Sequence, residues 1–224
     1  MNPSSISPAS EIIDGKKSPL LLRIGFWGCI VIGSAVVLRR LFALARPSTS
    51  GPPEMAGLDQ VLASHASLTL AHILPAMLFV LIIPFYFFGS AITAARARRL
   101  IFPIGVIVGI TAYAMSVYSV GGWVERSAVL VFNTLFLISL TRAYLYTRRG
   151  EAIQERRWLL RAVVILLGIA TTRPVMGVFF ATARLTRLVP AQFFGIAFWI
   201  GFSINAVIVE LWLRRNSTSS LTHQ

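Results

Sequence analysis

Acidic side chains are scarce in this chain, with eight Asp and Glu against 21 Lys and Arg in 224 residues. Most of the eight lie in connecting segments, so catalysis by carboxylate pairs has little material. A Ser/His/acid set and a His-Glu-x-x-His helix are also missing. The expectation is a non-enzyme with no catalytic residues. A single cysteine, Cys29, rules out an intrachain disulfide and a thiolate metal cluster. There are three histidines, His65, His72 and His223. A haem held between two histidines needs them on facing helices. His65 and His72 share one helix or its edge and His223 is in the tail, so haem is disfavoured, and neither a cofactor nor a metal is expected. Charge is sparse too, at 13% of residues, where a soluble domain carries about 25%.

What fills the space is hydrocarbon: 56% of residues are hydrophobic and the mean hydropathy is +0.74. The net charge of +13 could suggest nucleic acid. The Lys and Arg residues instead sit in short clusters beside apolar runs, as in the flanks of membrane helices, and no nucleic-acid partner is expected. The fold class is an all-α integral membrane protein, a bundle of six transmembrane helices. Segment 1–18 reads as a disordered cytoplasmic tail rich in Ser and Pro, and 19–45 as an N-terminal anchor helix. A cleaved signal peptide competes for that first run, but Arg39 and Arg40 separate it from the Ala43-Leu44-Ala45 site. Segment 46–65 reads as an external loop, 66–213 as a five-helix core and 214–224 as a disordered tail. Within the core the spans are expected at about 66–88, 101–120, 127–146, 158–181 and 191–213, with Arg96, Arg98 and Arg99 in a turn.

Counting basic flanks sets the orientation. Eleven Lys and Arg fall on one side and six on the other, with four inside spans. The excess predicts both termini in the cytoplasm of a multi-pass protein of the cell inner (cytoplasmic) membrane. At about 1.5 Å of rise per residue, His72, Asn133 and Arg173 come to one outer layer, which Tyr113 approaches. Arginine in hydrocarbon costs several kcal/mol, so an intramembrane Arg173 points to a partner or a ligand. A hydrogen-bonded packing role for all four residues is the competing reading. Near the inner edge Arg161 and Glu210 match in depth and are expected to pair, with Asn205 beside them as helix-to-helix glue.

These residues carry a resemblance. Ala71-His72-Ile73, the run from Arg156 to Arg161 (RRWLLR), Thr171-Thr172-Arg173, and Trp199, Phe202, Asn205 and Glu210 together resemble the bacterial membrane-protein family called domain of unknown function 2306. The match covers about 67–215. It departs where the family has a histidine before the arginine–tryptophan segment and this chain has Glu155. It departs again at Ile101-Phe102, where the family has a His-Arg pair. The resemblance implies a fold and a set of polar positions, and no activity. Two functions are expected from the chain: an accessory or scaffold subunit contacting other membrane-protein subunits, or a carrier or binder of a small anionic or quinone-like ligand at His72, Asn133, Arg173 and Tyr113. The lipid bilayer, anionic lipid included, is the remaining expected partner.

Overall fold

The computed structural model describes residues 20–45, 63–187 and 189–218, and every regular element in them is helical. In chain order these are α1 (Leu20–Ala45), α2 (Ala66–Phe88), α3 (Ala91–Ser116), α4 (Gly122–Arg149), α5 (Ala152–Leu166), α6 (Gly168–Thr186) and α7 (Pro190–Thr218). Six helical segments are long and apolar enough to cross a membrane, with α5 and α6 sharing one crossing. That fits a polytopic membrane protein. The expected tail 1–18 and nearly all of the expected loop 46–65 fall outside the described residues.

Short connections force antiparallel neighbours. α2, α3 and α4 pack in sequence, α4 continues to both α5 and α7, and α6 lies between α7 and α1. α1 also touches α2, which closes the circuit of helices, and α5 packs on α4, α7 and the start of α6. The central position of α5 is written in its buried face: Glu155, Leu159, Ala162 and Val163 recur at three- and four-residue intervals and are almost fully enclosed.

Three boundaries differ from expectation. α3 begins at Ala91, about ten residues early, because Ser90 caps it by accepting the Thr93 N–H at 3.4 Å. Arg96, Arg98 and Arg99 therefore project from a helix and not from a turn. α7 extends to Thr218, so helix occupies the first part of the segment expected to be disordered; Arg215 in its last turn complements the helix dipole. Finally, the expected fifth span is broken at Leu167. There the Ala170 N–H turns back to the Leu167 carbonyl, three residues away, at 2.9 Å.

Asn205 of α7 secures this break from both sides. Its Nδ2 donates to the Val164 carbonyl at 2.8 Å, and its Oδ1 accepts from the Thr171 hydroxyl at 2.8 Å. Leu167 keeps right-handed helical angles, so the break is one tightened turn, and Asn205 meets the polar groups beside it. Glycine makes the close approach possible: a Cβ on Gly201 would lie 2.8 Å from the Thr172 backbone nitrogen and 2.9 Å from its Cα. At the far end of α4, Gly150 adopts φ 74° and closes the helix through the Thr147 carbonyl.

The expected inner pair is present. Arg161 Nε donates to Glu210 Oε1 at 2.5 Å and its NH2 donates to Oε2 at 3.3 Å. The same guanidinium lies 4.4 Å from the Trp158 ring centroid, and Arg142 approaches that ring at 5.3 Å. Arg161→Ala and Glu210→Ala should each lower the yield of folded protein, because each strands a charge beside hydrocarbon. The double variant should be milder than the sum of the two singles. Strictly additive losses in a thermal-melt cycle would show that the pair contributes no coupling.

Candidate functional site

Between the helices lies a cavity of about 290 Å³, walled by residues of α1, α2, α3, α4, α5, α6 and α7. Its size is just under the roughly 300–1,000 Å³ of small-ligand pockets. The Leu167 break forms part of the wall: Ile165, Leu166, Leu167 and Ile169 all face the space. The opposite side is aromatic, with Phe132 and Phe202 stacked at 5.2 Å and Phe198 at 5.8 Å from Phe202.

Into this apolar space come His72, Asn133 and Arg173, the three residues the sequence placed at one depth. Tyr113 does not join them. Its hydroxyl bonds Thr134 Oγ1 at 2.7 Å on the α3–α4 surface, and it does not border the cavity. The reason is helical register: Ala112 and Ser116 face the cavity and Tyr113, one step on from Ala112, faces away. Tyr118 lines the space instead, its ring 3.7 Å from that of His65.

Arg173 reaches the wall from the second turn of α6. Its Nε is sealed from solvent and makes no hydrogen bond among the described residues. Its NH1 has only the Met176 sulfur, at 3.8 Å. The charges near enough to act on it are Arg39, Arg40 and Glu125. No ion pair joins Glu125 to Arg173 among the described residues. The Glu125 carboxylate is instead held in the first turn of its own helix, where Oε2 accepts the Gly121 N–H at 2.6 Å. Gly121 and Gly195 let α7 cross there, since a Cβ on Gly121 would meet the Gly195 nitrogen at 2.8 Å. Arg40, buried at 8% exposure, brings a second guanidinium to the wall. Among the described residues, two guanidiniums, Arg40 and Arg173, and one carboxylate, Glu125, line the space.

His72 and Asn133 can be read atom by atom. The Thr111 hydroxyl has carbonyl acceptors at Ile107, 2.7 Å away, and at Val108, 3.1 Å away. With its proton committed there, Oγ1 accepts from His72 Nδ1 at 3.0 Å. This bond network puts a proton on Nδ1, and burial in an apolar space disfavours a second proton, which leaves the neutral ring with Nε2 unprotonated. Asn133 Nδ2 donates to the Gly109 carbonyl at 2.9 Å, which ties α4 to the close crossing at Gly105 and Gly109. Part of Asn133 is therefore structural.

One polar cluster escaped the sequence reading. Glu155, which the expected spans leave in the connection between 146 and 158, is 2% exposed. Its Oε1 accepts from the Tyr86 hydroxyl at 2.8 Å and its Oε2 from Arg98 at 3.2 Å. Next to it Arg156 lies over the Phe87 ring and donates to the Phe87 carbonyl at 3.2 Å, closing the end of α2. The four-residue step from Glu155 to Leu159 was the signal that it belongs to the buried stripe. Among the described residues, no three His, Cys, Asp or Glu side chains gather where they could hold a metal ion. Comparison with protein-family models, curated proteins and solved structures found no match for the chain.

Proposed function

We propose that this protein binds a small lipophilic molecule inside the membrane, with the oxygen-bearing head of that molecule at Arg173. The observation that carries the reading is the cavity, which collects three dispersed polar residues of the core into one apolar space. An arginine with unmet hydrogen-bonding capacity at membrane depth has a use for an anionic or carbonyl oxygen. A helix broken beside the space supports the same reading, because discontinuous helices line the binding sites of many membrane carriers. The resemblance to domain of unknown function 2306 rests on the polar positions alone and supplies no activity to carry over. From the basic-flank count we place the cavity in the outer half of a bacterial inner membrane.

An accessory role in a larger assembly is compatible with such a site, since a bound lipophile can be passed to a neighbouring subunit. The cavity itself favours binding as the primary function.

The test uses the full chain in neutral-lipid nanodiscs and a fluorescent lipophilic acid, 11-(dansylamino)undecanoic acid. Saturable one-to-one enhancement is expected for the wild type. Arg173→Gln should weaken it by about tenfold or more, the scale of a lost charge-assisted hydrogen bond. Ala112→Trp, which fills the space, should abolish it. Equal, non-saturating fluorescence from all three would mean partitioning into lipid and would end the proposal.

A further inference from the structure

The hydrogen-bonding pattern of the cavity selects among lipophiles, and we infer that the preferred ligand carries a hydroxyl-bearing aromatic head of the hydroquinone type, with the oxidised quinone as the poorer ligand. This rests on the binding function proposed above and goes further by naming the chemical class.

His72 gives its Nδ1 proton to Thr111, so its other ring nitrogen, Nε2, is left as a lone-pair acceptor. Nε2 makes no hydrogen bond among the described residues. It is not one of the polar atoms sealed away without a partner; His72 borders the cavity, with the Val108 backbone as the other polar group beside its ring. Asn133 repeats the pattern. Its amide nitrogen is used by the Gly109 carbonyl, which leaves Oδ1 as an acceptor, and Oδ1 likewise is neither bonded nor sealed. Two side chains bordering the cavity thus offer acceptors, each with its donor already engaged elsewhere in the fold.

The third member, Arg173, is donor-only. A head complementary to all three must therefore donate hydrogen bonds through O–H groups and also present an oxygen that accepts from a guanidinium. A hydroquinone does both. A quinone has carbonyl acceptors only, so it satisfies Arg173 and leaves the His72 and Asn133 acceptors facing a lone pair. A simple carboxylate has the same defect. Sites built to hydrogen-bond a ligand hydroxyl discriminate strongly against the analogue without it, because their own buried groups are then left unpaired. The shape of the wall agrees. Phe132, Phe136, Phe194, Phe198 and Phe202 border the space, and ring faces and edges suit a planar aromatic head better than a bare alkyl chain.

The experiment uses the full chain in neutral-lipid nanodiscs under anaerobic conditions. Three probes share one decyl tail: a substituted 1,4-benzoquinone, its two-electron-reduced hydroquinone, and the dimethyl ether of that hydroquinone. Each is titrated against the bound dansyl acid. The hydroquinone should displace it at a concentration about tenfold lower than either analogue, the scale expected for leaving a buried acceptor unmatched. In His72→Phe, which removes one acceptor, the hydroquinone's advantage over the quinone and over the ether should shrink. The ether comparison on the wild type needs no variant, so a misfolded mutant does not blunt the test. Equal displacement by hydroquinone and ether, or displacement by the quinone alone, overturns the inference and leaves the cavity as a general lipophile site. A dansyl acid that binds and is displaced by none of the three overturns it as well. Failure of the dansyl acid to bind removes the underlying function, and the inference with it.

Discussion

Glu155→Ala is expected to remove most of the folded protein from the membrane fraction, the largest loss of any single polar substitution here. The carboxylate is enclosed and has two partners, Tyr86 from α2 and Arg98 from α3. It therefore joins the central helix α5 to both neighbours at one edge of the bundle. Deleting one member of a buried charged pair costs about 3–5 kcal/mol, mostly because the remaining charge is left uncompensated. Arg98 is 39% exposed and can turn away, which puts the loss at the lower end of that range. Tyr86 is 8% exposed and cannot follow. Glu155→Gln keeps an acceptor for the tyrosine and should retain a clear part of the yield. The measurement is size-exclusion yield and melting temperature after mild detergent extraction. A Glu155→Ala protein as abundant and as stable as wild type would show that the cluster contributes nothing to the fold.

The second large effect is expected at Gly201. A side chain there meets the Thr172 Cγ2 methyl at 2.6 Å and, directly behind it, backbone that cannot turn aside, the Thr172 nitrogen and Cα at 2.8 and 2.9 Å. Gly201→Val must therefore push α7 away from α6. Overpacking of this kind costs about 1–3 kcal/mol, and two further bonds go with it, because Asn205 lies one turn along the same helix. When α7 moves, Asn205 loses its hold on Val164 and Thr171, and the break at Leu167 is no longer held from the α7 side. The expected outcome is a lower melting temperature together with loss of dansyl-acid binding. Gly177→Val is the control, since a Cβ there meets nothing within 4 Å. Equal behaviour of the two variants would contradict the account of this crossing.

Much of this architecture was legible in the sequence, and the physical reasons separate what was from what was not. Continuous apolar runs marked the six crossings because a membrane helix must keep its hydrocarbon length. Depth counting then brought His72, Asn133 and Arg173 to one layer and paired Arg161 with Glu210, since rise per residue is nearly constant. Depth says nothing about azimuth, and that is where Tyr113 was misplaced: it has the right height and faces the α3–α4 surface. The break at Leu167 left no mark because Leu-Leu-Gly reads as an ordinary apolar run; the cause is Asn205, 38 residues from Leu167 in the chain. Arg40 looked like a flanking charge and Glu125 like an acid of an external loop, and only the packing of α1 and the Gly121–Gly195 crossing bring them to the cavity wall.

The most direct test of the central claim is native mass spectrometry of the protein released from its own membrane without detergent exchange. A single small-molecule adduct of defined mass is expected on the wild-type chain, absent from Ala112→Trp and depleted in Arg173→Gln. A wild-type chain that emerges bare, or with the same mixture of lipids as Ala112→Trp, would contradict a binding cavity and leave the polar residues as packing.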